Sequence, residues 1–464
     1  MTEPRDWRNG LQPRVADEAE FIISAFRDPP RQEHAEPPRG KEVKVVPTSD
    51  GGIEYMYIEG EILVRDEYLE RVLEILGHPT RSELEQAETN PLQPVIAGVT
   101  RLTALGDRHA RSLSALDAID ERLGWGIATP NHVLTAAGGT ASHCPATDPE
   151  EVYDDIEPYP SVCDDNGGAG VLVYLADTGL LENATSHSWL AGVTGDPDPG
   201  EPHLVSGTLT IPPSVGPYAG HGTFTAGVAR CMAPAAEIIV ANVSFAAGSV
   251  TESDLIPALQ AGLGRGVDIY HLNLACLSRH DFPLIAFGQW LRRLREYGGA
   301  VCVAPAGNSG VRRPAWPSAF AEVVSVGALG ADWRGRASFS NFGPQVDVYA
   351  PGRDLVNAYA TGTYTCSVAP YTNDIRDFYG MAKWSGTSFS SPIVTGLIAS
   401  RMSRIGENAE QATAAVLAEA RCHSIPGVGP VLLPRCRGER SACPAEPHRE
   451  GCRCHHHGGC PQCG

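Results

Sequence analysis

The sequence has few basic residues for its length. Lys and Arg number 36 against 55 Asp and Glu in 464 residues, which gives a formal net charge of -19. The basic residues form no run along the chain. A nucleic-acid-binding surface needs a basic face to neutralise phosphates, so the composition argues against a nucleic-acid partner.

Long apolar runs are also missing. No stretch approaches the roughly 18 apolar residues that a membrane-spanning helix needs, and the first residues, from Met1 to Asp6, contain no apolar core of a signal peptide. We therefore expect no membrane span and no standard secretory leader. The sequence predicts a cytoplasmic protein and leaves non-classical export open.

Full pairing of the cysteines within the chain is impossible, because their number, 13, is odd. Several are scattered singly through the body, where small buried thiols are common. Others crowd the end of the chain, and four of these are candidate zinc ligands: Cys452, Cys454, Cys460 and Cys463. Dense thiols and imidazoles suit zinc, but the gap between the two cysteine pairs is shorter than in usual two-knuckle sites. A structural zinc site and a disordered tail with adventitious metal binding both remain open.

Composition and periodicity divide the chain into five parts. Residues 1–45 are polar and rich in Pro, Arg and Glu, which predicts a flexible arm. Residues 46–140 alternate strand and helix patterns and predict a small α+β domain. An acidic linker at 141–168 follows, then the main domain at 169–425 and the Cys/His-rich tail at 426–464.

The main domain alternates short apolar runs with helical patterns. Candidate strands are residues 171–176, 238–243, 269–274, 300–304 and 323–326, and candidate helices follow His221 and cover about 255–264, 287–297 and 388–402. Alternation of this kind is typical of a doubly wound, mostly parallel sheet with helices on both faces. The sequence therefore predicts an α/β fold with a separate small N-terminal domain.

Segment 384–396 places a serine at a loop-to-helix junction. Gly386 and nearby small residues leave room for a peptide backbone, and Pro392 suits the first turn of a helix, where its missing N–H costs nothing. Ser388 would then lie at the positive end of a helix dipole, which favours negative charge developing beside it. We predict that Ser388 is a nucleophile, although a capped buried helix gives the same pattern.

A nucleophilic serine needs a base, an acid that orients the base, and donors for an oxyanion. Asp177 directly follows the apolar run 171–176, His221 opens a glycine-rich helical pattern, and Asn308 follows the apolar run 300–304. Taken singly, these blocks also fit a turn, a capping residue and a simple loop. Together they place four suitable side chains at strand ends or helix starts of one α/β region, where open sheets carry their sites.

Four short blocks resemble those of the subtilisin-like serine peptidases, the subtilases: Asp177-Thr178-Gly179, His221-Gly222-Thr223, Gly307-Asn308 and Gly386 to Pro392. The resemblance implies endopeptidase chemistry on a protein or peptide substrate. It implies that Ser388 attacks the scissile carbonyl, that His221 relays the proton to the leaving amine, and that Asp177 fixes the imidazole tautomer. Asn308 and the Ser388 N–H would hold the oxyanion. The resemblance implies no cofactor for the chemistry and leaves calcium sites, frequent in the family, open.

The chain departs from the family pattern beside the expected substrate groove. Asn273, Leu274 and Ala275, together with Gly307, are the predicted substrate-binding residues. Ala275 and Cys276 stand where similar peptidases carry glycines, so we expect a narrower groove. Cys276 would also make an enzyme sensitive to thiol reagents.

The N-terminal domain resembles the propeptide of subtilases, which assists the folding of its own peptidase and inhibits it. The strand that begins at residues 130–134 would enter the active-site cleft. We then expect self-cleavage within about 138–168, whereas a permanent accessory domain is the alternative. Two other functions remain open: a subtilase-type transpeptidase or macrocyclase, and an inactive peptidase-fold protein that binds a partner.

Overall fold

The computed structural model describes residues 13–27, 40–49, 51–87, 89–103, 105, 111–136, 146–152, 157–162, 166–198, 214–244, 248–366, 371 and 373–434. They form a small N-terminal unit and a larger α/β unit. None of the helices in these ranges combines the length and apolarity needed to cross a membrane.

The N-terminal unit is an antiparallel sheet covered by helices. Its elements are α1 (Pro13–Arg27), β1 (Val43–Pro47), β2 (Ile53–Arg65), α2 (Leu69–Leu76), α3 (Arg81–Glu85), β3 (Leu92–Ile96), β4 (Val99–Leu102), α4 (Ser112–Leu123) and β5 (Ala128–Ala136). Long β2 is the centre of this sheet and pairs antiparallel with β1, β4 and β5. Helix α2 ends at Gly77, whose φ of 76° is left-handed.

Helix α1 lies inside the segment that the sequence predicted to be a flexible arm, so that prediction is wrong for residues 13–27. The side chains of Val15, Ala19, Ile22 and Phe26 follow one another at helical spacing and are buried. They pack against β1 and β2 in a small core of their own that includes Met56. The burial of this apolar face against the sheet stabilises the helix.

The larger unit has a parallel sheet with helices on both faces. Its elements are β6 (Leu172–Asp177), β7 (Thr194–Gly195), β8 (Ser214–Val215), α5 (His221–Met232), β9 (Glu237–Asn242), β10 (Ser249–Thr251), α6 (Glu252–Leu263), β11 (Ile269–Leu272), β12 (Leu274–Ala275), α7 (Ile285–Tyr297), β13 (Val301–Pro305), β14 (Val323–Leu329), β15 (Val348–Pro351), β16 (Leu355–Thr365), β17 (Ile375–Trp384), α8 (Thr387–Ile405) and α9 (Ala409–Cys422).

The strand order in the parallel sheet is β15-β14-β13-β11-β6-β9-β7. Consecutive strands in this order pair in parallel, and the central strands are almost wholly buried. Buried parallel strands between two helical layers are typical of a doubly wound fold. The predicted α/β fold with a small N-terminal α+β domain is therefore confirmed.

Strands β16 and β17 form a long antiparallel hairpin that the sequence did not predict. Part of the acidic linker packs on this hairpin. The backbone of Glu150 bridges to Lys383, and the indole of Trp384 donates to the carbonyl of Thr147 at 2.7 Å. The linker residues in the described ranges are thus fixed to the larger unit, next to the start of α8.

Polar contacts join the two units. The side chain of Asp254 lies 2.7 Å from Lys41 Nζ and 3.3 Å from Arg101 Nη1. Arg279 of the larger unit forms ion pairs with two residues of α4, at 2.7 Å with Asp117 and 2.6 Å with Asp120. These pairs flank the point where β5 enters the larger unit.

Candidate active site

Three different elements bring the predicted triad residues to one end of the parallel sheet. Asp177 is the last residue of β6, His221 is the first residue of α5, and Ser388 is the second residue of α8. All three side chains are fully buried. His221 Nδ1 lies 2.7 Å from Asp177 Oδ1. Because an ionised carboxylate only accepts hydrogen bonds, Nδ1 carries the proton and Nε2 is left as the basic nitrogen.

The carboxylate of Asp177 is fixed from two sides. Its Oδ1 also accepts the backbone N–H of Thr178 at 2.7 Å, and its Oδ2 accepts Asn273 Nδ2 at 2.8 Å. The same Nδ2 is 3.4 Å from the Ser388 carbonyl oxygen. Asn273 therefore connects the acid of the triad to the helix that carries the nucleophile.

The two atoms that would exchange the proton are available. Neither Ser388 Oγ nor His221 Nε2 has a hydrogen-bond partner in the described part of the chain, although both are buried. Buried polar atoms are normally paired, and exceptions concentrate where chemistry occurs. Loose nucleophile–base contacts are common before substrate binds.

Asn308, the predicted oxyanion donor, contacts the first residue of α8. Its Oδ1 accepts the backbone N–H of Thr387 at 2.9 Å and the Thr387 hydroxyl at 2.8 Å. Thr387 directly precedes the nucleophile, so this pair of bonds fixes the carboxamide beside Ser388. With the oxygen end held, Nδ2 is the end that can donate to a developing oxyanion.

The loop around Asn308 is held by a second asparagine. Gly307 has a φ of 99°, a backbone conformation that glycine adopts without strain. Asn341 donates from Nδ2 to the Ala306 carbonyl at 2.8 Å and accepts the N–H groups of Ser309 and Val311 at its Oδ1. The side chain of Asn341 thus pins both ends of the turn.

Aromatic rings surround the imidazole. The ring centroid of His221 is 5.3 Å from Phe389 and 5.7 Å from Trp384, and Phe224 packs on both of those rings. Phe224 is fully buried. The apolar wall keeps water from the Asp177–His221 contact and strengthens it.

The predicted substrate-binding residues have two different positions. Leu274 and Ala275 form β12 and pair antiparallel with Ala136 and Thr135 of β5, so their backbone does face an extended chain. The side chain of Asn273 instead turns inward to Asp177, and Gly307 belongs to the turn that carries Asn308. The substrate-binding role remains a prediction for all four residues, and the structure adds a contact of the Asn273 side chain with Asp177.

Burial makes Cys276 a poor target for thiol reagents. Its side chain is 3% exposed, and desolvation raises the pKa of the thiol well above its ordinary value. Because the thiolate is the reactive form, the expected sensitivity to such reagents does not fit this position.

The zinc candidates Cys452, Cys454, Cys460 and Cys463 lie outside the described residues. Within the described ranges, no three His, Cys, Asp or Glu side chains come together as a metal site would require.

Sequence reasoning missed the supporting contacts of three residues: Asn273, which it predicted to bind substrate, and Thr387 and His271. The imidazole of His271 lies in β11, bonds Thr395 Oγ1 at 2.8 Å, and is fully buried below α8. For His271 and Asn273, the available signal was a polar residue inside the apolar run 269–274. A run of that kind predicts a strand but not which side chains turn toward the catalytic residues.

Comparison with known proteins agrees with this geometry. The profile of the subtilase family matches residues 168–429. M-protease of Shouchella clausii is 29% identical over 243 residues, which are 50% of this chain and 54% of that protein, so the chain spans about half the length of this relative. Thermitase of Thermoactinomyces vulgaris is 28% identical over 282 residues, 58% of this chain and 87% of thermitase.

Among solved structures, fervidolysin from Fervidobacterium pennivorans, a keratinolytic enzyme related to subtilisin, superposes with a TM-score of 0.52 at 16% identity. The superposition covers 82% of this chain and 60% of fervidolysin, and it supports the fold. The family profile covers more than half of the chain and includes each of the four predicted catalytic residues. The chain therefore belongs to the subtilase family of serine peptidases.

Proposed function

We propose that this chain is a serine endopeptidase that hydrolyses peptide bonds through an acyl-enzyme. The observation that carries the proposal is the buried 2.7 Å contact between Asp177 and His221, beside a buried serine hydroxyl with no hydrogen-bond partner in the described ranges. A fully buried carboxylate costs free energy to desolvate even when it is hydrogen-bonded. This free-energy cost is understandable if the carboxylate of Asp177 serves to make the His221 imidazole a base.

In the proposed mechanism, Ser388 Oγ attacks the carbonyl carbon of the scissile bond while His221 Nε2 takes its proton. The negative carbonyl oxygen is held by Asn308 Nδ2 and the Ser388 N–H. His221 then gives the proton to the leaving amine, which leaves Ser388 acylated. Water, deprotonated by the same nitrogen, releases the acid and restores the serine.

We further propose that the N-terminal unit inhibits the peptidase in cis. Strand β5 lies between β10 and β12 and pairs antiparallel with both. Its Ala136 N–H donates to the Gly248 carbonyl at 2.7 Å, and β12 follows directly after Asn273, which touches Asp177 and Ser388. A chain in this place runs toward the catalytic serine and excludes a substrate.

Self-cleavage would then separate the units. The expected cut lies within about 138–168, just beyond the end of β5 at Ala136. The strand pairing holds the end of β5, at Ala136, beside β12 and therefore close to Asn273. This geometry favours a propeptide over a permanent accessory domain.

A fluorophosphonate probe tests the nucleophile directly. The probe should label the full-chain protein at Ser388, and labelling should be lost in Ser388→Ala and strongly reduced in His221→Ala, because the unassisted hydroxyl is a weak nucleophile. Equal labelling of the wild type and His221→Ala, or none in the wild type over the period in which the N-terminal unit is released, would contradict the proposed mechanism.

A further inference from the structure

A closed polar site lies between β5 and the larger unit, away from the triad. At its centre is His132, a residue of β5 that is 1% exposed. Its Nε2 accepts the backbone N–H of Arg279 at 3.1 Å. Its Nδ1 points toward Glu252 Oε2 at a distance of 4.0 Å. One donor and one acceptor of the larger unit thus face the two nitrogens of a single imidazole.

Glu252 is built into the wall of this site. It is the first residue of α6 and is fully buried. Its Oε1 accepts the N–H groups of Ala286 at 2.7 Å and Phe287 at 3.2 Å, at the start of α7. Its Oε2 has no hydrogen-bond partner among the residues that the structure describes, and neither does His132 Nδ1. The carboxyl is therefore held by one oxygen and presents the other to the imidazole.

The imidazole is neutral in this environment. Burial lowers the pKa of His132 to about 3, with the nearby charge of Arg279 acting in the same direction. A neutral ring whose Nε2 accepts a hydrogen bond carries its proton on Nδ1. The ring thus offers an N–H toward Glu252 Oε2 and a lone pair toward Arg279. Burial raises the pKa of the Glu252 carboxyl to about 8, so this carboxyl also faces the ring mainly as an uncharged group at pH 7.

The position of His132 along the groove is defined by the strand register. Val133 pairs with Thr251, Leu134 with Val250, and Ala136 with Leu274. Because side chains alternate along a strand, His132 lies on the same face as Leu134 and Ala136. His132 itself pairs with Tyr57 of β2, so a substrate chain that replaces β5 reaches the place of this side chain, between Glu252 and Arg279, by continuing one residue beyond the register with β10.

We propose that Glu252 Oε2 and the Arg279 N–H form a remote subsite that selects histidine in a substrate, four residues before the position of Ala136. The inference rests on the proposed peptidase function and on β5 lying where substrates lie. Phenylalanine fills a similar space but leaves both polar groups unpaired. Lysine has a donor for Glu252 but no acceptor for the Arg279 N–H. Sites built to bond a polar group discriminate strongly against analogues that lack it.

The test uses the full-chain protein after its own processing and matched internally quenched peptides. The parent peptide copies residues 129–140, and its variants carry phenylalanine or lysine at the position of His132. Among the described residues, the Arg279 N–H is the group that forms a hydrogen bond with this ring, so we expect the loss of that bond in the phenylalanine and lysine peptides to lower kcat/KM about 3- to 10-fold. The same changes at the position of Val133 serve as the control. The Val133 side chain packs with Met56 on the opposite face, so a change there should have little effect.

A variant of the enzyme identifies the responsible group. Glu252→Gln keeps an oxygen for the N–H groups of Ala286 and Phe287, and so keeps the support of α7. It can place an amide N–H where Oε2 was, which does not match the imidazole N–H. The ratio of kcat/KM for the histidine peptide to kcat/KM for the phenylalanine peptide should therefore fall in this variant.

The outcomes separate the two proposals. Equal kcat/KM for the three peptides, or an unchanged histidine preference in Glu252→Gln, overturns the subsite and leaves the peptidase function standing. In that case the Glu252–His132 contact serves only to dock the N-terminal unit. If no peptide is cleaved and the fluorophosphonate does not label Ser388, both proposals fail.

Discussion

At the scale of single residues, the orientation of the Asn308 carboxamide depends on Thr387. Thr387 donates both its backbone N–H and its hydroxyl to Asn308 Oδ1, at 2.9 and 2.8 Å. Two donors on one oxygen define which end of the amide faces the substrate. The hydroxyl of Thr387 therefore has a positioning role, although it is not itself a group that reacts.

Replacing Thr387 tests this role. Thr387→Val keeps the shape but removes the hydroxyl donor, so we expect kcat for peptide hydrolysis to fall about 3- to 10-fold with KM little changed. Thr387→Ser keeps the hydroxyl and is the matched control, with kcat near the wild-type value. Removing the amide itself in Asn308→Leu should cost on the order of 10²- to 10³-fold in kcat. Equal kcat for the valine and serine variants would show that the hydroxyl does not position Asn308.

The sequence predicted which side chains come together at the candidate site better than it predicted the side chains that hold them. Asp177, His221, Asn308 and Ser388 stand in short blocks whose glycines and small residues are visible in one dimension. The role of Asn273 depends on the direction of one side chain at the end of a strand, which places Nδ2 on Asp177. The alternation of side chains along a strand predicts the face on which each side chain lies, but not which polar group of a neighbouring strand it contacts. Asn273 was therefore predicted only as a substrate-binding residue.

At the scale of elements, β11 joins the parallel sheet to α8 through a buried histidine. His271 bonds Thr395 Oγ1 at 2.8 Å and lies 3.4 Å from Ser391 Oγ. Burial lowers the pKa of His271 to about 3, and the nearby charges of Asp177 and His221 oppose each other. The folded protein therefore holds this imidazole neutral beneath the helix that carries Ser388.

This linkage makes stability depend on pH. The ordinary pKa of histidine is about 6.5, so between about pH 6.5 and 3 the unfolded chain binds a proton at this position that the folded chain does not. The contribution is fully present above pH 6.5 and is lost as pH falls. Acidification from pH 7 to 5 should cost up to about 2 kcal/mol through His271 alone.

Urea unfolding at pH 7 and pH 5 measures the effect. Both proteins should carry Ser388→Ala to prevent self-cleavage, and one should also carry His271→Gln. Other titrating groups change equally in both, so the loss of stability on acidification should be smaller in the glutamine variant. The same loss in both proteins would refute the linkage.

Helix α1 and the hairpin of β16 and β17 show which elements sequence patterns miss. In α1, the buried side chains lie among polar residues in a proline-flanked segment, and their partners on β1 and β2 come much later in the chain. The central strands β6, β9, β13 and β14 were predicted, because continuous apolar runs bounded by turns need no such distant information. Helix α1 is stabilised by tertiary packing. Because local composition carries no information on that packing, it predicted a flexible arm.

The burial of Phe26 makes α1 testable. Phe26→Ala should destabilise the packing of α1 on the sheet by about 3–5 kcal/mol, because the ring is 2% exposed in the intact protein. Amide hydrogen exchange within α1 should then be much faster in Ser388→Ala protein that carries the change. Ser24→Ala, on the same helix but outside that core, should leave the exchange rates near their original values. Unchanged exchange in Phe26→Ala would mean that the apolar face does not hold the helix.

At the scale of the whole molecule, the N-terminal unit is both a covering layer and the first candidate substrate. Strand β5 belongs to the sheet around β2 and also pairs with β10 and β12 of the larger unit. Ion pairs of Asp254 with Lys41 and of Arg279 with Asp120 join the same two units. The extent of this contact explains how the N-terminal unit could inhibit the peptidase, and the continuity of the chain explains how it could be cut.

The central claim is that Ser388 cleaves its own chain. The most direct test is the intact mass of purified wild-type and Ser388→Ala protein, followed over time under the same conditions. The account predicts that the wild type alone loses an N-terminal fragment that ends within 138–168. A wild-type chain that stays whole, or the same cut at the same rate in Ser388→Ala, would contradict it.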